Sequence, residues 1–148
     1  MRWIIVGLAV LALAACSQAG NLHRQIVWTG GTGYDVRAVK TADGLPTYEA
    51  SAAYNNSHAD ERPQIIRNLL YRAVSKVKSD GYDYVVVRAA NNATLTSTTY
   101  RYGAQVASSS YPGVRVTLVG YKAGGPRPPN ANDAAGWLAR LKAEGAEG

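Results

Sequence analysis

One cysteine, one methionine, two histidines and no phenylalanine appear in 148 residues. A single thiol rules out any disulfide within the chain. His23 and His58 stand far apart and Cys16 is the only thiol, so no set of ligands stands at metal spacing. Neither a metal nor a cofactor is expected. Hydrolytic machinery is equally thin: His23 lies in a polar N-terminal stretch, His58 lies in the polar run NNSHADE, and no GxSxG elbow is present. Acidic residues number ten against sixteen basic ones. Asp35, Asp43, Glu49, Asp80 and Asp83 fall mostly at expected turns or strand ends, a poor supply for a glycosidase pair. Gly30-Gly31-Thr32-Gly33 lacks the Gly-Lys-Ser/Thr and the following helix of a phosphate loop. These absences point to a protein that is not an enzyme.

Long apolar runs are also missing. A membrane-spanning helix needs about 20 apolar residues, and the run at 3–15, from Trp3 on, stops at 13 before Ser17 and Gln18. With Arg2 ahead of it and small residues at its end, residues 1–15 read as a secretory signal peptide.

The lone cysteine stands directly behind that run. Leu13-Ala14-Ala15-Cys16 resembles the lipobox of bacterial lipoproteins, a resemblance that covers the first 18 residues. It implies cleavage between Ala15 and Cys16 and a diacylglycerol on the Cys16 sulfur, with the new amine open to acylation as well. A thiolate is the one good soft nucleophile among side chains, which is why the position must be Cys. One acyl chain binds a bilayer marginally and two or three hold it stably, at roughly 0.8 kcal/mol per buried methylene. In such proteins Asp after the Cys favours the inner membrane. Ser17 stands here, so the resemblance implies the outer membrane, periplasmic face.

What remains after residue 15 is 133 residues, enough for one small domain. The net charge of +6 includes Arg2 and suits anionic envelope neighbours such as headgroups, lipopolysaccharide or peptidoglycan. The basic residues are scattered, with no run longer than Lys76-Val77-Lys78, as on an ordinary solvated surface. An exported protein would not meet nucleic acid, so none is expected as a partner. Residues 16–33 read as the lipidated Cys and a flexible tether, 34–122 as the domain, and 123–148 as a Pro/Gly-rich linker with a short helix.

Within the domain, DERPQIIRNLLYRAVSKVKSDG carries Ile65, Ile66, Leu69, Leu70, Ala73, Val74 and Val77 in helical rhythm. Asp60 is the expected N-cap, Pro63 belongs to the first turn, and Gly81 closes the helix. YDVRAVK (34–40) and YEASAAY (48–54) flank the turn signal Asp43-Gly44 and predict a hairpin. YVVV (84–87) and VRVTLVGYK (114–122) predict two more strands, the second with Val114, Val116, Leu118 and Gly120 on one face. The fold class is α+β: a small, mainly antiparallel β-β-α-β-β sheet, with room for one extra strand, and one long amphipathic helix on one face. ATLTSTTYRY, with Tyr100 and Tyr102 on one side, would extend the third strand's hairpin or hang as a long flexible loop, and an extra strand or a partly ordered excursion is the favoured reading. In the tail, Asp133 is the N-cap of a helix whose Ala134, Trp137, Leu138 and Leu141 share a face, to be docked on the domain, a partner or the membrane surface.

The lipobox, an early Gly-Tyr strand and LLYRAVSKVKSDGYDYVVV together are similar to small uncharacterised bacterial lipoproteins. That likeness spans roughly residues 34–88, implies fold and location, and carries no activity with it. Ten tyrosines against no phenylalanine supply rings with one wet end, suited to half-exposed sheets or to interfaces. Two readings follow: a thin core whose rings reach its edge, or an aromatic face for glycan or protein using Tyr100, Arg101 and Tyr102, joined by Arg88 and Arg115. The expected function is a lipid-anchored envelope lipoprotein acting through protein or surface contacts. The alternative is a peptidoglycan- or lipopolysaccharide-binding accessory module.

Overall fold

A computed structural model describes residues 27–29 and 32–148. The signal segment, Cys16 and most of the expected tether lie outside the described residues. In chain order come β1 (Val27–Thr29), β2 (Thr32–Val39), β3 (Thr47–Tyr54), a 3-10 turn (Asn56–Glu61), α1 (Arg62–Ser79), β4 (Tyr84–Arg101), β5 (Ala104–Tyr121), β6 (Asn132–Asp133) and α2 (Ala134–Ala143). Among the described residues the strands form one antiparallel, curled sheet in the order β1-β2-β3-β5-β4-β6. The fold is α+β. β1 falls inside the stretch read from sequence as tether, and β6 is too short to carry a period of its own.

Alternation along the strands separates the two faces. Tyr48, Ala50, Ala52 and Tyr54 of β3 and Val114, Val116 and Leu118 of β5 share one core with Ile65, Leu69, Ala73, Val74 and Val77 of α1. The alanines of β3 let the helix approach closely, and the helix fills the space with Leu69, Val74 and Val77, all fully buried. Tyr34 and Val36 of β2 flank this core. On the opposite face Thr47, Ser51, Ala53, Leu95 and Val119 are buried as well.

The α1 boundaries depart in part from expectation. NSHADE winds as a 3-10 turn, and the α-helix starts at Arg62 after a Glu61 cap that makes no side-chain hydrogen bond. Asp60 is therefore not the N-cap. The Arg62 N–H is bonded to the Ala59 carbonyl by the 3-10 turn, which supplies backbone partners where a side-chain cap would otherwise serve. Pro63 sits in the first turn. At the far end the Tyr82 N–H reaches the Val77 carbonyl at 3.3 Å and Gly81 takes φ +95°, a Schellman ending.

The tail helix packs on α1. Asp133 accepts a 2.7 Å bond from the Gly136 N–H, capping α2 as expected. Ala134 and Leu141 are buried, with Trp137 and Leu138 against the same core. Gln64 donates to the Gly145 carbonyl at 2.7 Å, and the Glu147 N–H donates to Asn68 at 2.9 Å, tying the chain end back to α1. In the linker, Arg127 lies 3.6 Å over the Tyr84 ring, a cation–π clasp between linker and sheet. The short tail helix expected from sequence thus docks on the domain beside the one long helix.

Candidate functional site

The segment hardest to read from sequence is an arm. Pairing of β3 with β5 ends at Ala53 and Gly113, while β5 and β4 stay paired from Thr94 opposite Pro112 out to Arg101 opposite Ala104. Eight residues of β4 therefore project past the rest of the sheet, about 27 Å at the usual strand rise. Residues 104–110 are exposed on both faces, with Val106 57% exposed. Tyr102 and Gly103 make the two-residue connection with φ of +51° and +79°. Positive φ at both positions is the primed turn whose twist matches a hairpin, and Gly103 takes it without strain. Thr96 and Ser110 hydroxyls meet across the ribbon at 3.4 Å. Pro112 falls just where β5 has lost β3 as a neighbour, a position where a strand can lack one ladder donor.

All three residues expected to bind a ligand come to the tip of this arm. Tyr100 and Arg101 end β4 and Tyr102 begins the turn. Tyr102 is 98% exposed, and the Arg101 guanidinium lies 5.9 Å from its ring centroid. Since Tyr102 lies in the turn, it does not share a strand face with Tyr100; that expectation is corrected. Arg88 and Arg115 do not join the tip. Arg88 occupies a bulge in β4 and pairs with Asp43 at 3.1 Å. Arg115 lies 3.5 Å from Glu49, which Arg37 also meets at 3.0 Å across β2 and β3.

Four of the other eight tyrosines serve the core. Tyr48 and Tyr54 are buried, Tyr34 lies 4.6 Å beneath the Arg72 guanidinium, and Tyr82 meets Tyr48 edge-on with centroids 6.4 Å apart. The Tyr48 hydroxyl donates to Asp80 at 2.8 Å, and Lys76 holds the other Asp80 oxygen at 2.7 Å. Burial first, then the Asp80 hydrogen bond and charge, push the Tyr48 phenol far above its ordinary range. The Lys76 hydrogen bond, followed by that of Tyr48, holds the Asp80 carboxyl below its ordinary value. Asp43 is lowered too, chiefly by the Thr41 hydroxyl and the Leu45 N–H.

A shallow cleft of about 420 Å³ opens where the arm leaves the sheet, lined by Tyr54, Arg62, residues 92–94, Pro112 and Gly113. Arg62 is its one charged residue and donates to the Asn92 side-chain oxygen. Gly113 is pressed from two sides: a Cβ there would stand 2.4 Å from the Ala52 carbonyl oxygen and 2.9 Å from Leu95 Cδ1. His58 lies 3.2 Å from Glu61 in the turn before α1. Among the described residues no group of three or more His, Cys, Asp or Glu comes together, and no helix is long and apolar enough to cross a membrane. Cys16 lies outside the described residues. Compared with known proteins, the chain matches no family model, no curated protein and no solved structure.

The arm had two signals in the sequence. Tyr102-Gly103 occupies the place of the usual Asn-Gly turn, and Thr-rich β-branched residues flank it.

Proposed function

We propose that this chain is a bacterial lipoprotein, fixed through Cys16 to the periplasmic face of the outer membrane, whose hairpin–helix–hairpin domain acts by contact rather than catalysis. The observation that carries the reading is the coincidence of a 13-residue apolar run, small residues at its end and the only cysteine immediately after. The anchor removes any need for an apolar membrane-binding surface on the folded part. An arm reaching past the sheet, with an aromatic ring and a guanidinium at its exposed end, supports the contact role.

Recognition of peptidoglycan or lipopolysaccharide at that end is the second reading, favoured by Arg101 beside Tyr102. A guanidinium answers carboxylate and phosphate, and a ring offers a sugar its flat face. Metabolic fatty-acid labelling tests the anchor: the native chain takes up label and Cys16→Ser does not, whereas labelling that persists in the variant overturns it. Sedimentation with purified peptidoglycan tests the second reading. A joint Tyr100→Ala and Arg101→Ala change should release the protein, and retention equal to the native chain removes the glycan reading.

A further inference from the structure

The outer edge of β4 is a long run of unpaired backbone. β6 pairs only with Tyr84 and Val85, so from Val86 onward the side of β4 away from β5 meets no strand among the described residues. Natural sheets guard such edges with charge, proline or a covering segment. Along residues 89–100 β4 has neither of the first two guards: AANNATLTSTTY holds no charge and no proline. The outer edge of β5 in the arm, by contrast, carries Pro112 and a bulge near Val106. One side of the ribbon is interrupted, and among the described residues the other is left open.

The arm also lacks the means to stand alone. A two-stranded hairpin is marginal in water, and three or more strands are needed for independent stability. Leu95 is buried at the base, and residues 101–110 are all exposed. We propose that the arm is a self-association element: β4 pairs antiparallel with β4 of a second copy about a two-fold axis, making a four-stranded β5-β4-β4-β5 ribbon. This does not depend on lipidation of Cys16.

A second copy fits this edge for reasons of symmetry and charge. Antiparallel pairing of one strand with itself is self-complementary about a two-fold. The midpoint of residues 93–101 is Ser97, which places Thr96 opposite Thr98, Thr94 opposite Tyr100, and Arg101 opposite Ala93. Thr–Thr neighbours across strands are favourable. The two Arg101 residues end up roughly 27 Å apart, beyond the screening length of about 8 Å at physiological salt. Ala93, where each body begins, falls opposite Arg101 of the other copy, so the two bodies stand at opposite ends of the paired segment.

The register makes the test specific. The full native chain, extracted in detergent, should sediment as a dimer. Thr96→Lys with Thr98→Lys sets lysines against lysines in both symmetric pairs and should weaken the dimer on the order of tenfold or more. Thr96→Lys with Thr98→Glu sets opposite charges together and should restore it. Ser97→Cys, facing its own copy, should give a disulfide-linked dimer under a mild oxidant, since cross-strand Cα separations of about 4.5–5.5 Å suit a disulfide; the native chain, with Cys16 alone, should not. A monomeric native chain, a double-lysine variant as dimeric as the native one, no rescue by the Lys/Glu pair, or no cross-link at Ser97 would each overturn the proposal.

Discussion

Replacing Gly113 by Ala probes the joint between the body and the arm. Gly113 pairs with Ala53 on one side and Ala93 on the other, so the row is built from the smallest residues in three adjacent strands. The added methyl would stand 2.4 Å from the Ala52 carbonyl oxygen, a backbone atom of the neighbouring strand, and 2.9 Å from Leu95 Cδ1. Leu95 can rotate away, but the carbonyl yields only if β3 and β5 part there. Overpacking of this kind costs about 1–3 kcal/mol, partly offset by about 0.4–1 kcal/mol from the less flexible unfolded chain. A net loss of about 1–2 kcal/mol lowers Tm by roughly 4–10 °C for a chain of this size. Thermal and urea unfolding followed by circular dichroism measure it, with the urea midpoint falling and the slope unchanged. Gly103→Ala is the control: its φ of +79° strains the new residue, but nothing lies within 4 Å of its Cβ. It loosens the hairpin tip and leaves the main transition in place. If Gly113→Ala melts at or above the native temperature, the close approach at the arm's base is not as described.

Other perturbations test the core and its charges. Leu69→Ala empties the centre of the α1 stripe, where the side chain is fully buried, and should cost about 2–5 kcal/mol by denaturant unfolding; a change under 1 kcal/mol would contradict the core. Because the folded-state pKa of Tyr48 is raised above the unfolded value of 10.0, its contribution is full below pH 10 and is lost as pH climbs further. Stability should fall above pH 10, and Tyr48→Phe should flatten that limb in a pH series of melting curves. Asp80 runs the other way: its folded pKa lies below 3.8, so its contribution is present above that value and is lost as pH falls through the lowered one. Asp80→Asn should flatten the acid limb, and an unchanged acid profile would contradict the Lys76–Asp80–Tyr48 contact.

Sequence patterning and structure agree best where burial is one-sided. The 65–77 stripe of α1, the Val114–Val116–Leu118 alternation and the Ala134–Leu141 face each turn apolar residues toward one core, and a period follows. The arm has no such asymmetry. Residues 104–110 are wet on both faces, so Ala, Gln and Ser replace alternation, and no periodic signal separates a strand from a loop. The site residues were legible as types and not as a cluster. Tyr100, Arg101 and Tyr102 are neighbours in sequence and therefore also at the tip, whereas Arg88 and Arg115 are drawn to Asp43 and Glu49 by long-range register. The 3-10 turn before α1 escaped because Asp60 satisfies the composition of a cap while the backbone meets the need itself.

Intact-mass spectrometry of the mature chain extracted from membranes tests the central claim most directly. An amino terminus at Cys16 carrying the mass of a diacylglyceryl group, with or without a further acyl chain, is the predicted result. An unmodified terminus, or one that begins beyond Cys16, would contradict the account.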